Sequence, residues 1–263
     1  IKLPKINARM KSFFKLFIPG IIGSGAIQLN IVIGTIIASL LPIGAISHIY
    51  YADRLNQFPL AVFGIAIGIV LLPSLAKAIK KNNREETHTI QNRSLEFCLF
   101  ISLPSAAGLY FLSEPIIYIL FERGAFVSED TLYTARTLSM FALGLPAYIL
   151  IKVFVACFFA REDTKTPLYI SIVSVIVNIV FSIILIKFMR EMGIALATTI
   201  SAWTNVLALY AILKIREEVS LDTRLIKNGY KIIFCSVVMS GICYFSNLIL
   251  SSHLALHSTI FNI

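Results

Sequence analysis

From Phe58 to Ala76 no side chain carries a charge, and the stretch is about as long as the roughly 20 residues a helix needs to cross hydrocarbon. Six further runs of similar character divide the chain into seven apolar segments, at 13–41, 50–78, 95–121, 131–159, 166–188, 193–215 and 226–250. Inside a bilayer every backbone N–H and C=O must find its partner within the protein, so segments of this length are restricted to helices. Composition agrees: 57% of residues are hydrophobic and 14% charged, and the mean hydropathy of +0.84 lies outside the range of soluble domains. The chain reads as an all-α integral membrane protein with seven transmembrane helices.

A formal charge of +9 raises nucleic acid as a partner. The Lys and Arg residues, however, fall between apolar segments rather than on one patch, and the membrane accounts for them. Seventeen of them lie in the N-terminal tail and the second, fourth and sixth gaps, against three (Arg123, Lys187 and Arg190) in the alternating gaps. The positive-inside rule then places the N-terminus in the cytoplasm and the first, third and fifth gaps outside. Cys98, Cys157, Cys235 and Cys243 lie in or beside apolar segments without a CxxC pair, so they read as reduced, small apolar residues. There is no cleavable signal peptide, and the chain starts at Ile1, which predicts that it begins partway through a longer protein.

The first segment carries Pro19, Gly20, Gly23, Ser24, Gly25, Gln28, Asn30, Gly34, Thr35 and Ser39. Breakers at that density predict a bent helix facing protein or water. In the second, Asp53 and Arg54 stand at the head of the uncharged run, and Arg54 shares a helical face with Tyr50, Gln57, Ala61, Gly64 and Gly68. A charge carried toward the bilayer centre costs about 2.5–3.5 kcal/mol on insertion scales. Two readings follow: interfacial anchors that end the helix, or the wall of a wet cavity.

The region Lys77–Arg93 reads as a solvated amphipathic connector. Gly144 and Pro146 predict a kink in the fourth segment. Lys152 reads as snorkelling to the cytoplasmic surface, with a substrate role as the rival. Ser171, Ser174, Asn178 and Ser182 form a stripe on the fifth segment, and Thr198, Ala202 and Asn205 one on the sixth. Their oxygens suit either a small hard cation or interhelical hydrogen bonding, and spacing favours the latter. The seventh segment reads as a packing or lipid-facing helix. His253 and His257 have the i, i+4 spacing of a metal pair but no acidic third ligand nearby, so no metal site is assigned to them.

With these residues in view, the chain resembles the MurJ/MviN family, the lipid II flippases of the multidrug/oligosaccharidyl-lipid/polysaccharide exporter superfamily. The strings that carry the resemblance are Tyr50-Tyr51-Ala52-Asp53-Arg54-Leu55 with Phe58-Pro59, Gly64-Ile65-Ala66-Ile67-Gly68, and Leu71-Leu72-Pro73-Ser74-Leu75. Leu120-Phe121-Glu122-Arg123-Gly124-Ala125-Phe126, Lys152-Val153 and Asp163-Thr164-Lys165-Thr166-Pro167 follow in order. The resemblance covers about 13–215 and weakens beyond. It implies fourteen helices in two six-helix lobes plus two more, of which this chain matches the seventh to the thirteenth.

On that reading residues 1–12 are a cytoplasmic tail and 13–215 the second six-helix lobe. Residues 216–250 are a linker and the extra helix, and 251–263 a truncated outer loop. The implied activity is flipping of lipid II by alternating access across a bacterial inner membrane, with a missing N-terminal lobe supplied by the same or another chain and no activity alone. Arg54 matches the family's cavity arginine for pyrophosphate, with Gln57 and Tyr50 beside it and Asp53 bracing a gate or helix contact. A Na⁺ site is implied at Asn178, Ser182, the Ile194 carbonyl and Thr198. Gly34 and Ser182 stand where acidic ligands are expected, so Na⁺ and H⁺ coupling both stay open; no cofactor is implied.

Alternatives are an exporter of another polyprenyl-pyrophosphate glycan or a drug, and a structural remnant of a split transporter gene. An intramembrane transferase would need an acidic pair or an activated nucleophile. Asp53 is the only acid bordering a polar stripe, with no acidic partner one turn away, so no enzyme is expected.

Overall fold

A computed structural model describes the backbone of residues 28 and 31–261, and the side chains of these except 63–68 and 247–261. Among the described residues every regular element is helical. They are α1 (31–38), α2 (Ala45–Pro59), a π-helical turn (Leu60–Gly64), α3 (Ile65–Lys80), α4 (Arg84–Phe111), α5 (Ser113–Phe121), α6 (Ser128–Ala142), α7 (Leu145–Phe159), α8 (Lys165–Met189), α9 (Glu191–Ile215) and α10 (Thr223–Phe261). Arg84–Phe111, Ser128–Phe159, Lys165–Met189, Glu191–Ile215 and Thr223–Ser246 are long and apolar enough to span a membrane. These overlap the third through seventh expected segments; the third differs most, since the helix starts at Arg84 and stops at Phe111, and Ser113–Phe121 is a separate helix. The bend expected around Pro19–Gly25, together with Asn30, lies outside the described residues, as do the side chains of Gly64, Gly68, His253 and His257.

The second segment is not the single α-helix that its composition suggests. Pro59 has no N–H to give, and its ring crowds the carbonyl four residues back. The hydrogen-bond ladder widens into the π turn Leu60–Gly64 before resuming as α3. At the other end of α3 the expected connector is also different, because the chain re-enters helix at Arg84. Asn83 accepts the Glu86 amide at 3.1 Å, and Glu85 and Glu86 in the first turn suit the positive end of the dipole. The kink expected near Gly144 is present: α6 stops at Ala142, and Pro146 sits in the first turn of α7.

α7 lies at the centre. Leu145, Ile149, Val153, Cys157 and Phe158 are buried against Leu71 and Leu75 of α3, Leu95 and Cys98 of α4, and Leu209 and Leu213 of α9. A helix that is apolar all round must be enclosed by others. By contrast α8 shows Val173, Ile176 and Val180 at the surface, and α10 shows Tyr230, Phe234, Val237 and Ile242. Such exposed apolar faces suit hydrocarbon or a further protein surface, and α10 packs chiefly on α4.

The turns gather at two ends of the bundle. At one, the chain reverses through Asn82, Glu162 and Glu217, all with positive φ. There Asp163 accepts the Thr166 amide at 3.0 Å and the Thr166 hydroxyl at 2.6 Å, and Arg216 donates to it at 2.7 Å. Burial would raise the Asp163 pKa, but these hydrogen bonds outweigh it and hold the carboxyl below its usual range. At the other end, called the Arg190 end below, Gly44, Gly124 and Arg190 make the turns. Tyr51 of α2 packs there on Phe121 at 4.8 Å and Phe126 at 5.6 Å between ring centroids. Two of the motif strings thus meet.

Candidate functional site

A cavity of about 570 Å³ opens among α2, α3, α6, α7 and α9, with Asp53, Asn56, Gln57, Phe141, Tyr148, Lys152 and Thr198 in its lining. Helical spacing explains the polar wall. Asp53, Asn56 and Gln57 share one face of α2 at i, i+3 and i+4, and Tyr148 and Lys152 are i, i+4 on α7. Gly144 lets α7 stand this close to α9, since a Cβ there would lie 2.7 Å from both Thr199 Oγ1 and the Tyr148 ring.

The four residues singled out on α2 form one connected group. Gln57 donates its amide N–H to Asp53, and its amide oxygen accepts from Arg54 Nη1 at 3.4 Å. The Arg54 guanidinium lies over the Tyr50 ring, with Cζ 4.5 Å from the centroid. Asp53 and Gln57 therefore face the cavity, while Arg54 and Tyr50 sit on the adjacent exposed side of the same helix. Lys152, for which a cavity role was the rival reading, is among the lining residues, as is Asp53 of α2. Sequence reasoning also passed over Asn56, whose buried side-chain oxygen has no partner; its i+3 relation to Asp53 was the available signal.

The set expected for a cation lies between α8 and α9. Asn178 donates from Nδ2 to Thr198 Oγ1 at 3.1 Å, and Thr198 donates to the Ile194 carbonyl at 2.9 Å. Ser182 Oγ is buried without a partner. Asn178 presents its nitrogen rather than its oxygen, Thr198 and Ile194 satisfy each other, and the set contains no carboxylate. This arrangement fits interhelical hydrogen bonding and does not fit a bound Na⁺, so no step is routed through one.

The cavity's lining brings one cation, Lys152, one carboxylate, Asp53, and the amides of Asn56 and Gln57 to an otherwise apolar wall, and the Arg54 guanidinium stands on the adjacent exposed side of α2, bonded to Gln57. Such a set can hold a polar, charged group beside a helical bundle. Fold and site thus define a helical membrane bundle with a polar cavity in one side. The family model described as "Lipid II flippase MurJ" matches residues 2–263, and the chain belongs to that family.

A probable lipid II flippase MurJ of Rhizobium tropici is 42% identical over 242 residues, covering 92% of this chain and 45% of that protein. One from Rickettsia prowazekii is 40% identical over 222 residues, covering 84% and 44%. The chain therefore spans less than half the length of these relatives. A solved lipid II flippase MurJ in an inward closed conformation superposes with a TM-score of 0.76 at 32% identity, covering 92% of this chain and 50% of that one. An outward-facing multidrug resistance MATE family transporter gives 0.69 at 17% identity, covering 89% and 54%, a likeness of fold alone.

Proposed function

We propose that this chain is the second lobe of a lipid II flippase and that its cavity forms one wall of the site for the pyrophosphate-linked headgroup. The observation that carries the reading is the arrangement of Arg54, Gln57 and Lys152 on two facing helices in a chain of this family. The Arg54 guanidinium can donate two parallel N–H bonds to phosphate oxygens, and such charge-assisted bonds are roughly twice as strong as neutral ones. Tyr50 and Gln57 hold its plane, and Asp53 holds Gln57. Lys152 adds a point charge that follows the headgroup as it moves.

In this reading the Arg190 end faces outward, the N-terminus is cytoplasmic and the membrane is the bacterial inner membrane. A second lobe closes the open side, and the two rock about the site to present it alternately to each face. The step is transport without bond-making or bond-breaking.

The test is Arg54→Ala and Arg54→Lys in the full-length protein, scored by rescue of a flippase-depleted strain and by lipid II binding. Both variants should insert normally, with Arg54→Ala failing to rescue and Arg54→Lys weaker than wild type because it keeps charge and loses the planar fork. Full rescue by Arg54→Ala refutes the assignment. Binding that another polyprenyl-pyrophosphate glycan displaces better than lipid II reassigns the substrate.

A further inference from the structure

We propose that His48 is a proton-binding site that, while it holds a proton on each ring nitrogen, ties the ends of α2, α6 and α9 together at the Arg190 end of the bundle. His48 lies in the first turn of α2, in the gap 42–49 ahead of the second membrane segment, and is 6% exposed. Its Nδ1 is 3.2 Å from Glu191 Oε1 at the start of α9, and its Nε2 is 2.9 Å from Asp130 Oδ1 in the first turn of α6.

A neutral imidazole has one N–H and one bare nitrogen. Whichever nitrogen were bare would set its lone pair against a carboxylate oxygen, whereas the imidazolium donates to both. Charge counting agrees. With His48 charged, two cations (His48 and Arg190) balance two anions (Asp130 and Glu191). Without that charge, the one cation left within ion-pair distance of Glu191, which is fully buried, among the described residues is Arg190, whose Nε stands 3.6 Å away, a separation at which neither Glu191 Oε2 nor Arg190 Nε makes a hydrogen bond.

The surroundings hold the ring in place. It stacks on Tyr133 of α6 with centroids 5.7 Å apart, and Arg190 covers the same tyrosine at 4.8 Å while donating to its hydroxyl at 3.1 Å. Gly44, at φ 102°, turns the chain where a Cβ would sit 3.4 Å from the ring. The groups facing His48 are thus Asp130 and Tyr133 from α6 and Glu191 and Arg190 from the α8–α9 corner, with Tyr51 one turn along its own helix. The hydrogen bond to Glu191 raises its pKa above the ordinary 6.5; burial opposes this, and the Asp130 hydrogen bond adds to the rise.

α2 carries Asp53, Arg54 and Gln57 less than three turns further on, so freeing its end releases the helix that forms the cavity's polar wall. Only the assignment of this end to the outer face rests on the function proposed above. Direct evidence comes from ring-nitrogen NMR on the chain in nanodiscs, with the other three of its four histidines replaced by glutamine. Both His48 nitrogens should be protonated at about pH 6.5, the proton leaving only at higher pH. A neutral tautomer at about pH 6 overturns the proposal.

Thermal unfolding supplies a second readout. A folded-state pKa raised above the unfolded value gives stability that is complete below about pH 6.5 and lost as pH rises through the folded pKa. The wild-type Tm should therefore fall by several degrees on the alkaline side, and His48→Gln should sit lower throughout with that fall absent. A wild-type Tm that stays flat there overturns the proposal, and if His48→Gln does not fold, the NMR titration decides. Neither readout involves lipid or flipping, so failure here and failure of the flippase reading are separable.

Discussion

Gly193→Ala is the substitution on which the packing of this bundle is most exposed to refutation. Gly193 is buried in the first turn of α9, and a Cβ there would stand 2.6 Å from both the carbonyl carbon and oxygen of Leu185 and 3.0 Å from the amide nitrogen of Ile186. The obstacle is backbone, so no rotamer change relieves it, and α8 and α9 must separate by several tenths of an ångström or more. Two hydrogen bonds cross that pair: Asn178 to Thr198 at 3.1 Å and Ser201 to the Ser174 carbonyl at 2.6 Å.

Overpacking costs about 1–3 kcal/mol, and each hydrogen bond lost removes about 1 kcal/mol. The expected destabilisation is therefore about 2–5 kcal/mol. For a chain of this size each kcal/mol moves Tm by roughly 2–4 °C, so a drop of about 4–20 °C is expected, read by circular dichroism in micelles. Gly229→Ala and Gly241→Ala on α10 are the controls. Their Cβ positions meet nothing within 4 Å, and in helix interiors the exchange should stabilise by up to about 1 kcal/mol. If Gly193→Ala melts within about 2 °C of wild type, a shift worth under about 1 kcal/mol, the close approach of α8 and α9 is not as described.

Two further outcomes can be checked independently. Lys152→Met in the full-length protein should weaken lipid II binding about tenfold, equivalent to about 1.4 kcal/mol, while leaving Tm unchanged because the lysine is exposed to the cavity; unchanged affinity in equilibrium binding would remove it from the site. Asp163→Asn should lower Tm at neutral pH. Because the folded carboxyl is held below its unfolded value, its contribution is present above about pH 3.9 and lost as pH falls through the folded pKa. The gap between wild type and variant in a pH series of melts should therefore close in acid and not in alkali.

Much of the frame could be read from residue order, because a bilayer makes hydrophobic length nearly sufficient for locating a helix. The break at Gly144 and Pro146 was equally visible, since both residues act on the backbone locally. The π turn after Pro59 was not. A proline within an apolar run can end, kink or merely widen a helix, and the packing of α2 and α3 on their neighbours selects among these. That Lys152 borders a cavity was hidden for a related reason: α7 is apolar on nearly all sides, so its sequence gives no phase from which to tell which side borders a cavity. The stripes on α8 and α9 predicted a contact correctly, but spacing carries no information on whether Asn178 offers an oxygen or a nitrogen. His48 gave least of all. Its partners stand 82 and 143 residues away, and no periodicity relates an isolated histidine in one turn to acids in two others.

The position of Arg54 bears on what must surround this chain. Its side chain is exposed, stacked on Tyr50 and hydrogen-bonded to Gln57 at a distance near the limit for such a bond, and no carboxylate lies within ion-pair distance of it among the described residues. In lipid, a guanidinium so placed would cost about 2.5–3.5 kcal/mol on insertion scales, and one weak bond to an amide does not offset that. The exposed side of α2 at this level therefore has to meet water or other protein rather than acyl chains, although Phe58, 72% exposed one turn further on, would suit either lipid or a protein contact. A face that combines a stacked cation with exposed aromatics, beside a cavity whose other polar groups already point inward, is what one wall of a two-walled site requires. Under the function proposed above, that covering is a second lobe closing over α2, and the headgroup is to be sought between Arg54 and Lys152 of this chain and groups of that lobe.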